Sequence, residues 1–344
     1  MRSAVIGWDL GGAHLKAARV DGSGAVDLAL QLPCPLWQGM GQLEAALDQA
    51  LLALGSAPVH AVTMTGEMVD LFADRPEGVA RLLGAMQERL PDATLRIYAG
   101  ADGFLDLERA PAAAGRIASA NWLATATLIA ARMPAALLAD IGSTTTDLVP
   151  VLAGRVCARG WDDPGRLVAG ELVYTGVVRT PVMAIAERVP FAGEWVPVMA
   201  EHFATAADVH RLTRRLPAEA DQHPAADGGA KTESGSARRL ARMIGRDCAS
   251  APLAAWRGLA AWLAEVQLRR IEDACRRILS RVGLPEDAPL VAAGVGRFVA
   301  PELARRLGRP ALEFARLLPD GKAGAARVSD CAPAVAVAWL AQRD

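Results

Sequence analysis

Leu138-Ala139-Asp140-Ile141-Gly142-Ser143-Thr144-Thr145-Thr146-Asp147 repeats the pattern of a much earlier stretch, Val5-Ile6-Gly7-Trp8-Asp9-Leu10-Gly11-Gly12-Ala13-His14-Leu15-Lys16. Each copy is an apolar run, then Asp, an apolar residue, Gly and a small or polar turn. The apolar runs read as strands buried on both faces. Glycine permits a tight turn and lets backbone N–H groups approach a phosphate unobstructed. A single Asp-x-Gly is ordinarily only a turn. Two copies, each ending a buried strand and each followed by a hairpin, predict two related half-domains facing each other across a phosphate-binding cleft.

Working outward, residues 3–10, 14–20 and 25–31 read as successive strands, with Asp21-Gly22-Ser23-Gly24 turning the second into the third. Strand, glycine-rich turn, strand is a hairpin and not the strand-to-helix turn of a dinucleotide fold. Helical spacing over 43–54, 78–90 and 119–132 alternates with strands over 57–64 and 95–99. Residues 135–141 open the second half, and 147–153 with 155–159 make its hairpin around Gly154. Residues 217–236, rich in Gly, Ala, Asp, Ser and Pro, read as a loop or lid. A basic helix over 237–247, a long amphipathic helix over 254–281, a strand over 290–293 and a closing helix over 332–341 follow.

The chain of 344 residues is 52% hydrophobic and 22% charged, which is a globular balance with room for two cores. A net charge of −1 argues against a general grip on nucleic acid or an anionic membrane. The apolar stretch 119–141 is broken by Arg132, Pro134 and Asp140 into pieces too short to span a bilayer. No signal-peptide layout precedes the first strand, so a cytoplasmic protein is expected. The five cysteines form no Cys-x-x-Cys pair and read as reduced, buried thiols. The five histidines lack metal-ligand spacing.

The candidate chemistry sits on the turns. Gly11, Gly12 and Ala13 would supply one set of backbone donors, and Gly142, Ser143, Thr144 and Thr145 the other, with hydroxyls added. Polyphosphates are normally bound with Mg²⁺, a hard cation taking one or two carboxylates plus waters. Asp9 and Asp140 are the candidate ligands, and Asp147 could assist or orient water. Two readings stand for Lys16: a group that neutralises phosphate or activates a nucleophile, or an outward-facing hairpin residue. Two also stand for Glu67 in Thr65-Gly66-Glu67, a general base or binding carboxylate against an exposed turn residue. Asp102 shares that ambiguity. His14 reads as structural or as a substrate contact. Gly294-Val295-Gly296 follows a buried strand, as base- or substrate-binding loops do. Asp227 and Lys231 lie in the 217–236 loop, where Lys231 would close on an anion or both would be solvated linker residues. Arg238, Arg239, Arg242 and Arg246 read as a solvated helix face.

The paired turns and the 294–296 loop resemble the acetate and sugar kinase/heat-shock ATPase/actin superfamily, in the order first phosphate loop, second phosphate loop, adenosine-type loop. A narrower resemblance covers nearly the whole chain. Asp9-Leu10-Gly11-Gly12-Ala13, Ser119-Ala120-Asn121-Trp122, Asp140 to Asp147, Gly170-Glu171-Leu172-Val173-Tyr174-Thr175-Gly176 with Arg179-Thr180-Pro181, and Ala226-Asp227-Gly228 with Lys231-Thr232 resemble a hydantoinase/oxoprolinase-related family linked to tetrahydromethanopterin-dependent one-carbon metabolism.

The resemblance implies an α/β fold of two ribonuclease H-like half-domains of the actin/hexokinase type. The first would hold 1–134 and 330–344, and the second 135–329, including a mainly helical insert at about 165–250. It further implies a Mg²⁺-dependent transferase of methanofuran or methylofuran synthesis. Such an enzyme joins an aminomethyl-furan-methanol diphosphate to γ-glutamyl-tyramine and releases diphosphate. Glu67, Lys16 and Asp147 would then be catalytic. Asn121, Tyr174 and the apolar residues around Trp122 would line the substrate pocket. His14 departs from the smaller polar residue that the family pattern leads one to expect. An ATP-dependent small-molecule kinase and a non-catalytic phosphometabolite-binding protein remain alternatives, and the sequence leaves a homodimer open.

Overall fold

The computed structural model describes residues 2–344. In chain order the strands are β1 Val5–Leu10, β2 His14–Val20, β3 Val26–Pro33, β4 Val59–Met64, β5 Thr94–Tyr98, β6 Phe104–Leu105, β7 Ala135–Ile141, β8 Thr146–Leu152, β9 Arg155–Val156, β10 Leu172–Val173, β11 Arg188–Phe191, β12 Glu194–Pro197, β13 Leu290–Ala293 and β14 Ala311–Glu313. The helices are α1 Met40–Leu54, α2 Arg75–Arg89, α3 Ala114–Ile117, α4 Asn121–Arg132, α5 Asp163–Ala169, α6 Ala206–Leu212, α7 Glu233–Arg242, α8 Leu253–Leu279, α9 Ala300–Leu307, α10 Ala325–Asp330 and α11 Ala332–Ala341.

One sheet runs β3-β2-β1-β4-β5-β6 and the other β10-β8-β7-β13-β14. Both place the first strand of their half inside the sheet, flank it with a hairpin partner on one side, and add later strands on the other, three in the first sheet and two in the second. In the first sheet β1 is antiparallel to β2 and parallel to β4, and β4 is parallel to β5. The repeated strand order is the structural counterpart of the repeated Asp-x-Gly motif. The α/β class with two ribonuclease H-like halves is therefore the one found. The chain divides into two compact units: Met1–Leu138, Val149–Cys157 and Leu312–Asp344 form one, and Ala139–Leu148 with Ala158–Ala311 the other.

Every residue of β1 is buried, as its unbroken apolar run requires. The helix α11 is apolar almost all round and is buried from Ala332 to Trp339, which suits a core helix rather than a surface one. Helix α2 begins three residues before the periodic apolar pattern. Asp74 Oδ1 accepts from Glu77 N–H at 2.9 Å, and Pro76 fills the first turn, which is a capping signal.

The expected second-half hairpin is shortened. β9 is two residues long, and the outer position of the sheet passes to β10, which pairs with Thr146 and Asp147 of β8. Between them Asp162 caps α5 by accepting from Gly165 N–H at 2.8 Å, and that turns the chain away from the sheet before it returns.

The region from 165 to 250 contains α5, α6, α7 and the hairpin β11–β12. Helices α6, α7 and α8 share an apolar core built on Val209, Leu240, Trp256 and Leu263. The 217–236 segment has little regular structure, but ion pairs tie it to α6 and α7. Asp221 pairs with Arg211, and Asp227 pairs with Arg239 at 3.0 Å. Arg239 is wholly buried, so this part of the basic run is not a solvated face. Among the described residues no helix is long and apolar enough to cross a membrane.

Two buried histidines make stability depend on pH. Trp8 Nε1–H donates to His60 Nδ1 at 3.0 Å, which leaves Nε2–H to donate to Ala57 O at 3.2 Å. His210 Nε2 meets Gln267 Oε1 at 2.7 Å. Burial lowers both imidazoles to about 4. Between pH 6.5 and 4 the unfolded chain binds protons at these positions and the folded chain does not. Folding stability is therefore complete above 6.5 and falls as pH drops toward 4, by roughly 3 kcal/mol per histidine. Thermal denaturation from pH 7 to 4 should show this slope, and His60→Gln with His210→Gln should flatten it. Equal slopes in the double variant and the parent would contradict the assignment.

Candidate functional site

In the first unit the sheet register assembles a polar row. Asp9 pairs with Lys16 on β2 and Thr63 on β4, and Lys16 pairs with Gln31 on β3. Directly paired residues share a face, so Gln31, Lys16, Asp9 and Thr63 lie side by side across four strands. Asp9, Gln31 and Thr63 are buried. Asp330, also buried, precedes Cys331 where α10 meets α11, and the Cys331 thiol feels the charges of Lys16, Asp330 and Asp9. Burial pushes that thiol up to about 12, and likewise Cys275 to about 12 and Cys34 to about 11, so none of the three is a ready thiolate nucleophile.

The turn after β1 is clamped to the turn after β4. Thr65 and Gly66 N–H groups both donate to Leu10 O, at 3.0 and 2.9 Å. That places Glu67 on the turn neighbouring Gly11 and Gly12. Glu67 is only 1% exposed, which removes the exposed-turn reading. Ser119 Oγ donates to Glu67 Oε1 at 2.8 Å from a residue held at φ +52°, a conformation rare for a side chain other than glycine. Gly11 N–H donates to His14 O, and the carbonyls of Gly12 and Ala13 accept from Leu36 and Cys34 N–H. His14 is buried beneath the turn. Asn121 is the first residue of α4, and its Oδ1 accepts from Trp122 N–H at 2.7 Å.

In the second unit Gly142 N–H closes the turn on Thr145 O at 2.8 Å. Two neighbouring segments hold this turn. Val177 N–H donates to Gly142 O, and Val178 and Arg179 N–H donate to Ser143 O. Gly296 N–H donates to Ile141 O at 2.7 Å. Gly294 has φ +79°, and a Cβ there would stand 2.4 Å from Ile141 O and 2.5 Å from Asp140 Oδ1. Only glycine allows β13 to end against the Asp140 carboxylate. Ser143 and Thr144 hydroxyls lie 3.4 Å apart on the turn.

The remaining candidates have other engagements. Asp147 is paired with the buried Arg166 at 2.8 Å, and Arg166 also donates to Glu171 O. Glu171 accepts from Arg159 and Gly160 N–H and pairs with Arg281. Tyr174 is 67% exposed at the end of β10. Asp227 accepts from Gly229 N–H and Arg239, which hold it below its ordinary value although burial opposes this. Lys231 donates to Asp221 O at 2.8 Å. Asp227 and Lys231 thus belong to the ion network of the insert. Arg166, Gln267 and Asp330 have no role in the sequence, and Ser119 and Arg179 stand there only within the motifs of the resemblance or near a helix cap. Their contacts come from long-range folding, which local spacing does not signal.

Among the described residues no three or more His, Cys, Asp or Glu side chains gather as a metal cluster. Mg²⁺ takes few protein ligands and completes its shell with water and substrate oxygens, so a single buried carboxylate is compatible with it. Each turn offers one buried carboxylate, Asp9 or Asp140, and Gly294 keeps the approach to Asp140 free of a side chain.

A family model described as Hydantoinase/oxoprolinase matches residues 59–340. A protein of Methanocaldococcus jannaschii, the (4-{4-[2-(gamma-L-glutamylamino)ethyl]phenoxymethyl}furan-2-yl)methanamine synthase, is 28% identical over 248 residues, covering 72% of this chain and 73% of its own. The protein of the same name from Methanococcus vannielii is 34% identical over 80 residues, covering 23% of this chain and 36% of its own. A nucleotide-free acetone carboxylase structure superposes with a TM-score of 0.58 at 11% identity, over 90% of this chain and 68% of that one. That likeness concerns the fold alone.

Proposed function

Because the chain belongs to the hydantoinase/oxoprolinase family, we propose that it is an enzyme of methanofuran-type cofactor synthesis. The observation that carries this reading is the archaeal synthase, which aligns over nearly three quarters of both chains. In the proposed reaction the phenol oxygen of γ-glutamyl-tyramine attacks the furfuryl CH₂ of an aminomethyl-furan-methanol diphosphate. The new aryl ether C–O bond forms, the C–O bond to diphosphate breaks, and the phenol proton passes to a base.

The furan ring can share positive charge with the CH₂, so departure of diphosphate sets the barrier. Its charge must be neutralised as it leaves. The Gly142–Thr145 turn supplies hydroxyl and backbone donors for that oxygen-rich group. Mg²⁺, when bound, would neutralise the leaving diphosphate, and Asp9 in the first unit and Asp140 in the second are each proposed as a carboxylate for it. Tyrosine-type phenols ionise near 10, so the nucleophile needs help at neutral pH. Glu67, with Ser119 fixing one of its oxygens, is the proposed base. Lys16 is the cation that would favour the phenolate. Tyr174, exposed beyond β10, would contact a ring.

The test is direct. Purified protein should release diphosphate only when both organic substrates and Mg²⁺ are present, and chelation should stop it. Phosphate transfer from ATP, with no diphosphate released from the furan substrate, would refute the proposal in favour of a kinase.

A further inference from the structure

The second turn carries two carboxylates and is proposed to hold a polyanion, so a cation must reach it. Arg166 lies nearby, paired with Asp147 and with Glu171 O. Arg179 touches the turn itself. Its Nη1 is 3.4 Å from Thr144 Oγ1, and its own N–H donates to Ser143 O at 2.8 Å. The side chain therefore leaves the backbone where the turn is anchored and returns to the hydroxyl of the turn.

The surroundings keep this spot open and fixed. A Cβ on Gly176 would stand 2.4 Å from Thr144 N and 2.5 Å from Ser143 C, so any other residue would cover the turn's backbone. Gly176 is held in place on three sides. Its N–H donates to Thr180 Oγ1 at 2.8 Å, its carbonyl accepts from that hydroxyl at 3.0 Å, and Gln267 Nε2 donates to the same carbonyl at 2.9 Å. Gln267 is locked in turn by Thr175 Oγ1 and His210. These bonds fix Gly176 against the turn, so the Arg179 guanidinium and the Thr144 hydroxyl stand on a backbone that needs little rearrangement to meet an anion.

We propose that Arg179 is the anion-binding residue that fixes the departing diphosphate on the Ser143–Thr144 turn, a role that rests on the reaction proposed above. A guanidinium stays charged and presents a planar fork that matches two phosphate oxygens. Its partial burial would strengthen that contact relative to a solvent-exposed one.

The experiment measures inorganic diphosphate binding by calorimetry with Mg²⁺ present, on the full chain and on Arg179→Gln and Arg179→Lys. Steady-state kinetics on both substrates run alongside. Losing a charge-assisted hydrogen bond should weaken diphosphate by about 10- to 100-fold in Arg179→Gln. KM for the furan diphosphate should rise while KM for γ-glutamyl-tyramine stays unchanged. Arg179→Lys should recover part of the affinity, remaining at least about threefold weaker than the parent because it lacks the fork. If the Gln variant fails to fold, the Lys variant decides by that same margin. Diphosphate binding unchanged in a folded variant, equal rises in both KM values, or no diphosphate binding by the parent would each overturn the proposal. Arg179-dependent diphosphate binding without diphosphate release from the furan substrate would uphold Arg179 and defeat the reaction.

Discussion

Asp9→Asn is expected to lower diphosphate release by about 10²- to 10³-fold while leaving the protein folded, the usual cost of losing one preorganised charge partner at a developing anion. The carboxylate is buried at the end of β1, opposite Lys16 and beside Thr63. Asn keeps the shape and some hydrogen bonding but removes the charge. A purely structural Asp9 would give a different pattern, with lower thermal stability and turnover within tenfold of the parent. Rate and melting temperature measured on the same preparation separate the two. Raising the Mg²⁺ concentration should restore part of the rate if Asp9 acts through the ion.

Gly294→Ala is expected to destabilise the protein by about 2–4 kcal/mol and to abolish most activity. Two penalties combine. The position needs φ +79°, and the added Cβ would press on Ile141 O and Asp140 Oδ1, which are fixed atoms of a buried strand end. Gly308→Ala provides the control. Gly308 has φ +65° in the left-handed helical region but has nothing within 4 Å of the added Cβ, so it should cost only about 1 kcal/mol. Urea denaturation of both variants tests the argument. Equal losses would mean that the backbone angle, and not the approach to Asp140, makes Gly294 necessary.

Much of the fold was legible because the strongest signals were local. β1, β4 and β7 are apolar runs of strand length, and α8 and α11 are long or uniformly apolar helices. The start of α2 was readable too, through Asp74, Pro76 and Glu77, although periodicity alone places it late. The edge of the second sheet was not. Gly154 marks a hairpin, yet nothing near it says that α5 will intervene before β10 takes the outer place.

The candidate site divides in the same way. The Asp-x-Gly turns could be found from glycine and aspartate alone, since few other residues permit a strand to end in a tight, open turn. Glu67 is ambiguous in the sequence, because burial at the end of β4 depends on Leu10 O and Ser119 from distant segments. Asp147 looked like a free carboxylate until Arg166, nineteen residues onward, was seen to occupy it. Asp227 and Lys231 looked like lid residues. Their partners Arg239 and Asp221 bind them within the insert.

The sequence by itself determined the two-fold repeat, its paired turns and the buried strands that lead to them, because those features depend on neighbours along the chain. The tertiary structure alone decided which charges meet. Asp9 and Lys16 act on the Cys331 thiol from more than three hundred residues away, and Arg179 returns to Thr144 from the segment beyond β10. A charge inside a protein is defined by what surrounds it, and that surrounding is assembled only when remote segments pack.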